Sequence, residues 1–191
     1  KAGETLNRFV GEQQSVKRSI AALKDELGDT EKKCESLVKS GNMQDAAIFS
    51  QRREEIMYEI YTKTVNIEAN TMMEMTRRQI IPAVVKYAKF LSETLVSLKD
   101  TGLAVDVSLE AGLLKDVSAA SAALRTALSK LEKAQEKGVA MENGWEKAVY
   151  YRDKVLPAME ALRTPADTLE VLLGKDFWPM PTYTDLMFGI L

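Results

Sequence analysis

Between Asn66 and Lys99 the chain carries its longest clean helical pattern, and that stretch limits what the remainder can fold into. Ile81, Val84, Ala88, Leu91, Leu95 and Leu98 recur in steps of three and four, which sets them along one face of a helix. Such a face has to be covered by other helices. Just upstream, NIEANTMMEMTRRQIIPAV brings methionines, acids and the Arg77–Arg78 pair up to Pro82. A proline has no amide hydrogen to donate and its ring collides with the carbonyl four residues back, so the pattern predicts a kink near Arg78.

The covering helices are legible on both sides. Leu6, Phe9, Gln13, Val16, Ile20, Leu23 and Leu27 form a narrow, coiled-coil-like seam in a helix beginning near Thr5. Thr30, Cys34, Leu37 and Gly41 continue its phase across Gly28, which leaves one helix with a weak point or two helices. Gly41 closes this segment, and Asn42 with Asp45 predicts the N-cap of the next one, lined by Ala46, Phe49, Ile56 and Ile60. The β-branched run Thr62, Thr64, Val65 and Ile67 predicts a bend in that helix rather than a strand. Cys34 falls on the inner face, where a buried structural thiol is the simplest role.

Beyond Lys99 the glycine and β-branched residues up to Val107 supply a loop, and Ser108 is placed to cap a further helix. Leu114, Val117, Ser121, Leu124, Leu128, Leu131 and Gln135 keep heptad phase, with small residues from Ser118 to Ala123 that permit close helix approach. Gly138 to Gly144 predicts a hinge. From Trp145 to Leu173 a last long pattern contains Pro157 and Pro165; a single helix kinked at Pro165 is the preferred assignment, a fresh start at Thr164 the alternative. Tyr150, Tyr151 and Arg152 are placed to line a site or to anchor packing. After Gly174 the character changes. GKDFWPMPTYTDLMFGIL is aromatic and proline-rich, extended before Thr182, with Thr182 and Asp185 placed to cap a short turn. Phe177, Trp178, Tyr183 and Phe188 are expected to dock on a protein surface.

The fold class is therefore all-α. It is expected to be a bundle of four to five long, partly kinked antiparallel helices with an extended C-terminal tail, about 70% helix or more against an ordinary third. One helical domain is expected over residues 1–191.

Composition narrows the function. Lys and Arg (26) nearly balance Asp and Glu (28), so no basic field invites nucleic acid, and no face has the basic and aromatic character of a membrane-surface helix. The chain has no histidine, which removes the commonest general acid/base and a frequent metal ligand. It also shows no glycine-rich phosphate loop, paired cysteines or nucleophile elbow. A single cysteine and no leader-like or membrane-spanning run predict a cytoplasmic, reducing setting, and a first residue other than methionine fits a fragment or a processed form.

Three strings, YTKTVNIEANTMMEMTRRQIIPAVVKY (Tyr61 to Tyr87), YYRDKVLPAMEALRTPADTLE (Tyr150 to Glu170) and WPMPTYTDLMF (Trp178 to Phe188), resemble the C-terminal region of type III glutamine synthetases in order and spacing. The resemblance runs from Met43 to Leu191. It divides the domain into an N-terminal helix outside the match (1–42), a bundle core (43–174) and a docking tail (175–191). It implies a parent enzyme that joins glutamate and ammonia with ATP through a γ-glutamyl phosphate, using Mg or Mn held by carboxylates and a histidine. It also implies partners: the catalytic domain of the same chain, and neighbouring subunits in a two-ring homo-oligomer. The family's catalytic, cofactor-binding and metal residues would lie upstream, so none is assigned here. Glu68, Glu74, Arg77 and Arg78 are the polar residues to inspect first, with helix-surface ion pairing as their simplest role. The rival reading is a free-standing, coiled-coil-like interaction module.

Overall fold

A computed structural model describes residues 2–181 and 183–189, with side chains from Val10 onward except at Tyr183, Thr184 and Leu186. Its elements are α1 (Ala2–Lys39), α2 (Met43–Met75), α3 (Ile81–Asp100), α4 (Ser108–Ala140), α5 (Trp145–Tyr150), α6 (Leu156–Leu172) and α7 (Tyr183–Phe188). Two π-helical turns, Thr76–Ile80 and Tyr151–Val155, interrupt this series. Helix makes up 86% of the chain, within the expected 70% or more, and no strand occurs among the described residues. None of the helices among these residues is long and apolar enough to cross a membrane.

The chain divides into two compact units: Lys1–Asn70 with Ala134–Leu156, and Thr71–Lys133 with Pro157–Leu191. In the first, α1 runs unbroken through Gly28 and ends where Gly41 takes φ +79°, a conformation that costs glycine little. There the Asn42 amide donates to Leu37 O at 3.0 Å and the Gly41 amide to Val38 O at 3.1 Å, a Schellman closure. Asn42 then caps α2: its Oδ1 accepts the Asp45 amide at 3.3 Å while its Nδ2 donates to Asp45 Oδ2 at 2.8 Å. The Cys34 thiol donates to Ala46 O at 3.5 Å, Arg52 to Glu26 at 2.6 Å and Lys63 to Ser19 at 2.6 Å. Each step forward on α2 meets a step back on α1, so the two helices form an antiparallel hairpin. The seam positions Leu6 and Phe9 lie outside the described side chains.

The β-branched run in α2 does not interrupt its α-helical assignment, which continues to Met75. The Thr62 and Thr64 hydroxyls donate to Glu59 O and Ile60 O, turning back onto their own helix. The interruption comes later and in another form. At Thr76–Ile80 the helix widens by one residue, and the Ile81 amide donates to Thr76 O, five residues back. Pro82 follows at once. The second π turn repeats the arrangement, with the Leu156 amide donating to Tyr151 O immediately before Pro157. The sequences run in parallel, TRRQIIPA and YRDKVLPA. Pro165 lies buried inside an α-helix that continues to Leu172, the single helix expected there with no fresh start at Thr164, whereas Pro82 and Pro157 are exposed.

In the second unit α3 buries Ala83, Val84, Tyr87 and Leu91, a face turned slightly from the one the seam predicts because Ala83 and Tyr87 join it. Leu124 of α4 and Leu162 and Leu169 of α6 are buried to 1% exposure or less, each contributing roughly 1.5–3 kcal/mol of apolar burial. Two boundary expectations need correction. Ser108 is the first residue of α4 and does not cap it; its amide donates to Asp106 Oδ1 at 2.9 Å, and that bond holds the Asp106 carboxyl below its ordinary range. The break expected over Gly138 to Gly144 is present but narrower, since α4 continues through Gly138 to Ala140 and α5 begins at Trp145.

The tail also departs from expectation in part. Trp178 is buried, and the half-buried Phe177 meets Tyr87 edge-on at 5.0 Å and Phe90 at 5.3 Å. Phe188, however, is 71% exposed. Asp185 of the same short helix is buried, and its Oδ1 accepts Lys175 Nζ at 2.5 Å. The Thr182 cap and the Tyr183 ring lie outside the described residues.

Candidate functional site

The best-formed polar constellation in the first unit is built on a tyrosine. Tyr151 opens the second π turn and is only 1% exposed. Burying a phenol requires a hydrogen-bond partner. Its hydroxyl donates to Asn66 Oδ1 at 3.2 Å, and Gln135 Nε2 donates to the same oxygen at 2.8 Å, so one amide oxygen joins α2, α4 and the π turn. Burial, and to a lesser degree the neighbouring Tyr150, pushes the Tyr151 phenol up to about 12. It is therefore a neutral donor throughout the physiological range. Gly138 lies against the ring: a Cβ there would come within 2.8 Å of the tyrosine's edge. This glycine provides close approach within α4, ahead of the break that follows Ala140.

Around this centre the polar groups are paired locally. Lys147 Nζ donates to Met141 O at 3.1 Å and Asn143 Oδ1 at 3.2 Å; burial lowers its pKa, opposed by Glu59. Lys137 Nζ stands 5.5 Å from the centre of the Tyr150 ring, and Trp145 meets Tyr58 edge-on at 5.5 Å. Arg152 is exposed and bonds its neighbour Asp153 at 2.6 Å. Of the residues placed to line a site, Tyr151 is an anchor and Arg152 a surface group.

In the second unit the first π turn carries the other polar group. Thr76 is buried, with its hydroxyl donated to Met72 O at 2.8 Å. Arg77 reaches across to Glu132 on α4 at 2.7 Å, and Arg78 pairs with Glu74 one turn back. Three of the four residues marked for inspection therefore take part in ion pairs. Glu68 is exposed with no ion-pair partner among the described residues. Asn66 escaped notice because an asparagine in mid-helix reads as surface. The available signal was Gln135, a polar residue on an apolar seam. Among the described residues no three His, Cys, Asp or Glu side chains converge on one point, so no metal-holding set is assigned and no chemical step is built on one.

Residues 13–99 match the family model described as the glutamine synthetase C-terminal domain. Over 138 residues, 72% of its length, the chain is 37% identical to a glutamine synthetase of Butyrivibrio fibrisolvens. It is 29% identical over 140 residues to one from Bacteroides fragilis, and 25% identical over 142 residues to a type-3 glutamine synthetase of Dictyostelium discoideum. The aligned parts are 20%, 19% and 19% of those proteins, so the chain spans about a fifth of the length of the curated relatives it matches. The family match begins within α1, on residues where the sequence strings carry no resemblance. Residues 13–99 thus match the C-terminal domain of glutamine synthetases, and the chain is similar to proteins of that name over about 72% of its length.

Proposed function

We propose that these residues serve as the C-terminal helical region of a type III glutamine synthetase, a ligase that forms glutamine from glutamate and ammonia with ATP. They act there as a scaffold and hold no reacting group. The observation that carries this reading is the 37% identity over 72% of the chain to a protein of which the aligned part is only a fifth. Buried polar groups that bond one another, as Tyr151, Asn66 and Gln135 do, support a structural role. ATP and Mg or Mn would be bound by residues outside this sequence. The partners are the catalytic domain of the same polypeptide and neighbouring subunits of a two-ring homo-oligomer, in the cytoplasm. Within this role the 191 residues form one folding domain, a bundle of antiparallel helices over 43–174 preceded by the helix of 1–42 and followed by the docking tail 175–191.

The test expresses the complete reading frame beside the 191-residue chain and assays γ-glutamyl transfer from each. Activity from the complete protein alone is expected. Activity that purifies with the 191 residues would end the scaffold reading, and a complete protein that forms no glutamine would end the synthetase reading.

A further inference from the structure

We draw no further inference here: the strongest candidate, the apolar trough between α3 and α4 whose walls include Val85 and Leu114, carries none because nothing in the structure shows what covers it.

Discussion

The two π turns share a backbone and differ in what they do with it. Each widens the helix by one residue immediately before an exposed proline, and each buries its first and fifth residues: Thr76 and Ile80 in one, Tyr151 and Val155 in the other. In the first turn the buried polar group is small and bonds its own helix, while the following arginines pair on the surface. In the second the buried group is a tyrosine that reaches another helix, and the following arginine bonds only its neighbour. An exposed proline is common to both; the side chain at the first position separates a local turn from a junction of elements.

The largest break in that comparison should come at the first position. Tyr151→Ala removes a fully buried ring and leaves Asn66 short of a donor, so a loss of about 3–5 kcal/mol is expected in chemical denaturation. Thr76→Ala should cost about 1 kcal/mol, because the hydroxyl it removes bonds only its own helix. Equal losses would mean that the turns are energetically alike. Next in size is Gly138→Ala. Its added methyl meets the tyrosine ring, and about 1–3 kcal/mol should be lost, whereas Gly112→Ala, with open space around it, should be neutral or stabilising.

A pH titration sharpens the contrast further. The Tyr151 phenol is raised from 10.0 to about 12, so the folded state favours the neutral form. The stability this contributes is complete below pH 10 and is lost as pH rises through about 12. Tyr151→Phe should flatten that alkaline decline, and Thr76→Ala should leave it unchanged. The smallest effects belong to the arginines. Arg77→Ala should cost at most about 1 kcal/mol, because its pair with Glu132 is half-exposed, and the loss should shrink in high salt. Arg152→Ala should produce no measurable change in the denaturation midpoint.

These differences also mark what the sequence could reveal. The long helices were readable because three-four spacing survives any detail of packing, and the Gly41, Asn42 and Asp45 junction because its chemistry is local. Pro82 announced an interruption but not its kind, since a kink and a π turn both relieve the same clash. At Pro165 the seam kept its phase, and the structure has one helix through the proline with no fresh start at Thr164. The break between α4 and α5 was legible, but Gly138 was counted into it because the reason for a glycine there is a ring thirteen positions later. Phe188 is exposed where Phe177 and Trp178 are not, because apolar composition does not say which rings of a tail meet their own chain. The Asn66, Gln135 and Tyr151 junction joins positions 69 and 85 residues apart, beyond the reach of any local pattern.

The central claim is that these buried polar groups support the enzyme and take no part in its chemistry. The most direct measurement is Tyr151→Phe in the protein from the complete reading frame, with glutamine formation and denaturation followed on the same sample. Loss of one buried hydroxyl should lower stability by about 0.5–1.5 kcal/mol and leave kcat and KM at their wild-type values. A tenfold or greater fall in kcat with an unchanged denaturation midpoint would contradict it.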